Sequence, residues 1–86
     1  MTITKKTVAN KLAAYLGHEL ALGDLVEWAE QAMQGGVFEE RDAKLLATVI
    51  GRLGVADVRA FGLAWEDCEQ ILKQLGYSAK VDIVAA

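Results

Sequence analysis

The 86-residue chain predicts a mainly α fold: a compact four-helix bundle with an extra short helix and one short C-terminal β-strand. Three observations carry that reading. Apolar residues recur at intervals of three and four along most of the chain, the spacing of one face of a helix. The apolar runs end at Gly17, Gly35 with Gly36, Gly54, Gly62 and Gly76, and proline is absent, so glycine is expected to stop the helices by entering the left-handed C-cap conformation. From Tyr77 onward the period switches to two.

The first helix is expected over 4–16, where Val8, Leu12, Tyr15 and Leu16 share a face and Lys6, Asn10 and Lys11 look outward. A second, over 22–34, places Leu22, Leu25, Val26, Ala29, Ala32 and Met33 on one stripe, with Glu27, Glu30, Gln31 and Gln34 opposite and Trp28 at the border. The third, over 39–53, buries Leu45, Leu46, Val49, Ile50 and Leu53. Its opening turn holds Glu39, Glu40 and Asp42, carboxylates that favour the positive end of the helix dipole. Residues 55–61 have Val55, Val58 and Phe61 at threefold spacing and read as a short helix or a 3₁₀ segment. The last helix, 64–75, points Cys68, Ile71, Leu72 and Leu75 inward and opens on Glu66, Asp67 and Glu69, with Trp65 closing over Phe61.

Residues 77–84 then alternate Tyr77, Ala79, Val81 and Ile83 against Ser78, Lys80 and Asp82, the pattern of a half-buried strand. A strand needs a partner for its backbone donors and acceptors. Two extended pieces of this chain qualify, residues 2–4 and Val37 with Phe38. The other route is strand addition to another molecule, either in a homodimer or to a different protein.

Length and composition limit the rest. Eighty-six residues make one domain, 1–86, and a hydrophobic fraction of 53% is that of a chain with a core rather than a disordered tail. No apolar run reaches the roughly 18 residues that a membrane-spanning helix needs, and the first residues lack a signal-peptide pattern. One cysteine cannot form an internal disulfide and fits a reducing compartment. The expectation is a cytoplasmic protein without membrane association.

The net charge of -3 is unevenly spread: residues 1–18 carry +3, residues 19–42 carry −6, and the remainder balance. An acidic middle argues against nucleic acid, which binds through lysine and arginine. A helix-turn-helix reading of the segment around Leu53, Gly54 and Val55 fails because Glu66, Asp67 and Glu69 fall where phosphates would have to be met. A basic protein partner is compatible with the same charge. The candidate partner-binding set is therefore Glu27, Trp28, Glu30, Glu39, Glu40 and Asp42.

Catalytic and metal chemistry find little support. Nucleophilic catalysis would require the single histidine, His18, to meet a distant nucleophile, and Cys68 on an apolar stripe reads as a small buried hydrophobe. His18 with acids of the second helix is the one nucleus for a metal site. His18 is otherwise a loop residue or a helix C-cap. No phosphate loop of the GxxxxGK type occurs. No catalytic, cofactor or metal residues are assigned.

Residues 25–30 (LVEWAE), 52–59 (RLGVADVR) and 65–69 (WEDCE) together resemble a family of small uncharacterised bacterial helical proteins, a resemblance that spans most of the chain and implies no activity. In layout alone the acidic helical domain is also similar to colicin-type immunity proteins, which neutralise basic nuclease toxins through an acidic helix surface; no motif corresponds residue by residue. Three readings follow. The first is a non-catalytic bacterial protein-interaction or regulatory module. The second is an immunity- or antitoxin-like inhibitor of a basic protein, and the third a small metal protein or enzyme using His18. Leu25, Val49, Leu53 and Leu72 are expected in the core.

Overall fold

The computed structural model describes residues 2–58 and 62–78. Within them the chain is mostly helical. In order come β1 (Thr2–Ile3), α1 (Lys5–Leu16), α2 (Leu22–Gly35), β2 (Val37–Phe38), a 3₁₀ turn (Glu40–Asp42), α3 (Ala43–Leu53) and α4 (Trp65–Gln74). The four long helical patterns of the sequence are all present. Residues 54–58 form turns, with the Ala56 and Val58 N–H groups donating to the carbonyls of Leu53 and Val55, three residues back. The rest of the expected short helix, including Phe61, lies outside the described residues.

The sheet is where sequence and structure part. β1 and β2 run parallel, with Thr2 opposite Val37 and Ile3 opposite Phe38. The two segments singled out as partners for a C-terminal strand are thus paired with each other. Of the expected strand over 77–84, Tyr77 and Ser78 have no regular secondary structure, and the remainder lies outside the described residues.

This pairing also shortens the third helix. The Glu39 N–H donates to the Ile3 carbonyl at 2.9 Å, so Glu39 extends the ladder instead of opening a helix. Asp42 then breaks the 3₁₀ turn from α3 with φ −116° and ψ 15°. Glu39, Glu40 and Asp42 accordingly precede α3, whose first turn contains no acid, and Asp42 makes no side-chain capping bond. The expectation that these carboxylates stabilise a helix start is corrected: strand pairing has claimed the backbone they sit on.

The core is apolar throughout. Ile3, Val8, Leu12, Leu25, Ala29, Leu46, Val49, Ile50, Leu53, Cys68, Ile71, Leu72 and Leu75 form one cluster, and no described polar or charged residue is buried. Leu25, Val49, Leu53 and Leu72 are all within it, as the periodicity required. α2 and α3 share the broadest helix–helix contact, with α1 against α2 and α4 against α1. Met33 departs from its stripe: it is 51% exposed near the C-terminal end of α2.

Helix termination also differs from the expectation. Gly17, Gly36 and Gly54 have φ of −83°, −78° and −65°, none left-handed. After α1 the left-handed residue is His18, at φ 62°, with its N–H donating to the Tyr15 carbonyl and the Glu19 N–H to that of Ala14. That is a Schellman closure with histidine where glycine is the usual occupant. α4 closes the same way on Gly76, at φ 89°, through Gly76 N–H to Lys73 O and Tyr77 N–H to Leu72 O. At the other end of α1, Thr4 and Thr7 cap reciprocally: each hydroxyl oxygen accepts the other residue's backbone N–H at 3.2 Å.

The two closures predict opposite responses to substitution. A left-handed residue bearing a Cβ is strained by about 1 kcal/mol or more, so His18→Gly is expected to raise stability by about 1 kcal/mol and Gly76→Ala to lower it by a similar amount. Urea unfolding followed by far-ultraviolet circular dichroism measures both. Destabilisation by His18→Gly would show that the imidazole contributes more than its backbone strain costs.

Candidate functional site

The sequence-selected residues fall on two stretches. On α2, Glu27 and Glu30 stand one helical turn apart and are exposed, as the polar side of that helix requires. Trp28 between them is half-buried and packs against the core edge, with Lys11 Nζ of α1 lying 5.5 Å from its ring centroid. That separation is within cation–π range and ties α1 to α2 at the surface. Trp28 therefore combines an inward packing role with a rim placement.

On the second stretch, Glu39 and Glu40 are exposed and Asp42 is half-buried. Glu39 and Asp42 line an open cleft of about 360 Å³ together with Thr4, Lys5, Lys6, Arg41 and Tyr77. Lys5 Nζ is 3.9 Å from Asp42 Oδ2. A partly exposed pair at that distance contributes little to stability, but it balances the local charge. The cleft is therefore of mixed sign, whereas the outer side of α2 presents Glu27 and Glu30. No local pattern signals that Lys5 and Asp42 meet, because the contact depends on β1 and β2 pairing across some 35 residues.

His18 was the one nucleus of a catalytic or metal reading. It lines a cavity of about 180 Å³ with Tyr15, Leu16, Leu63, Ala64, Trp65 and Cys68, between the end of α1 and the start of α4. The fold thus brings His18 and Cys68 to one place, which their separation in sequence did not indicate. Among the described residues, no three His, Cys, Asp or Glu side chains gather as a metal site. Cys68 is a free, fully buried thiol. Burial pushes its pKa above the ordinary thiol value and the Asp67 carboxylate adds to the rise, opposed by the Arg52 guanidinium and by a backbone hydrogen bond. A neutral, enclosed thiol is a poor nucleophile and a poor metal ligand.

A third concavity, about 250 Å³, runs between α3 and α4 and is lined by Thr48, Val49, Arg52, Asp67, Gln70, Ile71 and Gln74. Its end is pinned by Arg52, which donates to the Gly62 carbonyl at 2.8 Å and approaches Asp67 Oδ2 at 3.6 Å. Asp67 in turn accepts the Ala64 N–H at 2.8 Å, compensating for an alanine at the N-cap of α4. Asp67, read from the sequence as a helix-start carboxylate, has that role. No described helix is long and apolar enough to cross a membrane.

The raised pKa of Cys68 fixes the sign of a pH effect. A thiol that holds its proton more tightly when folded contributes its full stabilisation below the ordinary thiol value and loses it as pH rises through the folded value. Chain stability is thus expected to fall on the alkaline side, from about pH 8.5 upward. In Cys68→Ala this part of the decline should be absent. Urea midpoints across that range compare the two chains, and identical alkaline slopes would contradict the burial argument.

Comparison adds nothing to this geometry: no family model, curated protein or solved structure matches the chain.

Proposed function

We propose that the chain is a small protein-interaction or regulatory module without catalytic activity, docking on a basic protein through Glu27, Trp28, Glu30, Glu39, Glu40 and Asp42. The observation that supports this reading best is the outward placement of Glu27, Glu30, Glu39 and Glu40, with Asp42 half-buried beside the last two and paired with Lys5. Glu27 and Glu30 are exposed at mid-helix, and Glu39, Glu40 and Asp42 do not cap α3. An aromatic residue between exposed acids is a common anchor pattern at interfaces, with the charges steering approach and the ring supplying contact area. Because Lys5, Lys6 and Arg41 share the cleft of Glu39 and Asp42, the α2 pair is assigned the larger part of the recognition.

An immunity- or antitoxin-like inhibitor is the specific form of this reading in which the basic partner is a toxin. The same reading places the protein in the bacterial cytoplasm, away from nucleic acid. It takes the four helices as a bundle completed by a C-terminal strand, with homodimerisation through that strand as the alternative to internal pairing. A metal protein or enzyme built on His18 is the second reading, favoured by the cavity His18 shares with Cys68 and Tyr15.

Reversing both α2 charges, Glu27→Lys with Glu30→Lys, separates docking from folding, since exposed charges contribute little to stability. Affinity capture from the native host, read by mass spectrometry, should recover a basic protein with the unaltered chain and at least tenfold less of it with the double variant. The variant should keep its helical circular dichroism and urea midpoint. Equal recovery by both chains would move the partner surface elsewhere.

A further inference from the structure

The cavity between the end of α1 and the start of α4 runs from the core to the surface. Cys68 at its floor is fully buried, Tyr15, Leu16 and Leu63 along its walls are half-buried, and His18 and Trp65 at its mouth are exposed. Its volume of about 180 Å³ exceeds the roughly 150 Å³ in which an apolar protein cavity holds one benzene ring. Tyr15, Leu16 and Leu63 also pack against the core cluster, so the walls are supported from behind.

His18 stands at that mouth in a conformation that glycine adopts without strain. Its φ is 62°, and its N–H donates to the Tyr15 carbonyl at 3.2 Å. Gly17, one residue earlier, has φ −83°, so the left-handed position of the closure falls on a residue with a side chain. Non-glycine residues held left-handed concentrate at ligand sites, where what the side chain does there offsets the strain of its backbone.

Trp65 supplies the matching feature on the α4 side. It is the first residue of that helix and keeps 37% of its surface exposed, whereas Trp28 is half-buried with Lys11 over its ring. Tyr15, His18 and Trp65 give the cavity three rings, each with a group able to hydrogen-bond, around an otherwise apolar interior. Among the described residues, no Asp, Glu, Lys or Arg lines it. A charged ligand would find no counter-charge there, which favours a neutral one.

We propose that this cavity binds a neutral, single-ring aromatic molecule bearing one hydrogen-bonding group, of the phenol class. The ring lies against Leu16, Leu63 and the Cys68 sulfur, a contact that sulfur makes favourably at a ring edge. The polar group stays at the mouth, where the His18 imidazole meets it. No metal and no covalent step is involved. This inference rests neither on the acidic docking surface nor on the metal or enzyme reading of His18, and it can fail without affecting the docking surface.

Titration of the full chain with phenol, followed by nuclear magnetic resonance, tests it. The amides of Leu16, His18, Leu63 and Cys68 and the indole N–H of Trp65 should shift together on one saturation curve, with a dissociation constant of about 1 mM or tighter. The Trp28 indole should stay in place. Cyclohexanol, of similar size without an aromatic ring, is expected to bind about tenfold more weakly. His18→Gly and Trp65→Leu should each weaken phenol binding about tenfold with helical circular dichroism unchanged. The two variants alter different elements, so loss of fold in one leaves the other as the test. Absence of saturable shifts at these residues, equal binding of cyclohexanol, or undiminished phenol binding in either variant would overturn the proposal.

Discussion

The hydrogen bond from the Glu39 N–H to the Ile3 carbonyl, and the two-residue parallel pairing it belongs to, set the path of the first half of the chain. Ile3 is fully buried, so β1 is held from below by the core and from the side by β2. Pairing at that point fixes where α1 starts, at the Thr4–Thr7 cap just beyond Ile3, and where the chain must be when it leaves α2. Gly36 is the residue that permits the second condition. A Cβ there would lie 2.5 Å from the Ala32 carbonyl oxygen and 3.0 Å from Ile3 Cγ1, too close for any side chain without displacement of backbone. Gly35 beside it has open space, so the constraint belongs to Gly36 alone.

The pairing has consequences for charge. By drawing Glu39 into the ladder it keeps Glu39, Glu40 and Asp42 out of the helix whose first turn they would have stabilised, and leaves Glu39 and Glu40 exposed and Asp42 half-buried. It also brings Lys5 and Lys6, at the start of α1, to the same cleft. The acidic stretch of the sequence thus becomes two different surfaces. The α2 pair faces outward and is negative, and the sheet end mixes both signs. A charge count along the chain averages over that distinction.

Most of the helical architecture was legible because each stripe repeats over three or more turns: Leu25, Val26, Ala29 and Ala32 leave little choice of register, and so do Leu46, Val49, Ile50 and Leu53. Met33 lies beyond the point where the α2 stripe meets its neighbours, and periodicity does not report where a neighbour ends. A two-residue strand has no period to detect, and the pairing of Ile3 with Phe38 links segments that no local pattern connects. Helix ends were legible in place, and in mechanism at Gly76, but not at Gly17, Gly36 or Gly54. Gly17 marks the end of α1, yet His18 takes the left-handed conformation, since the closure needs that geometry one residue further on. Of the candidate site, exposure of Glu27 and Glu30 followed from the helical wheel. The Lys11–Trp28 contact, the Lys5–Asp42 pair and the convergence of His18 with Cys68 each depend on how helices pack, which composition and spacing do not encode.

Amide hydrogen exchange at Glu39 tests most directly whether strand pairing governs the fold. If β1 and β2 are the constraint on which the N-terminal half depends, this amide should exchange only through global opening, with a protection free energy equal to that from urea unfolding and matching the amides of Ile50 and Leu53. Exchange of Glu39 through local fraying, at a small fraction of that free energy while Ile50 and Leu53 remain protected, would show that the helices assemble without the sheet and would contradict the account.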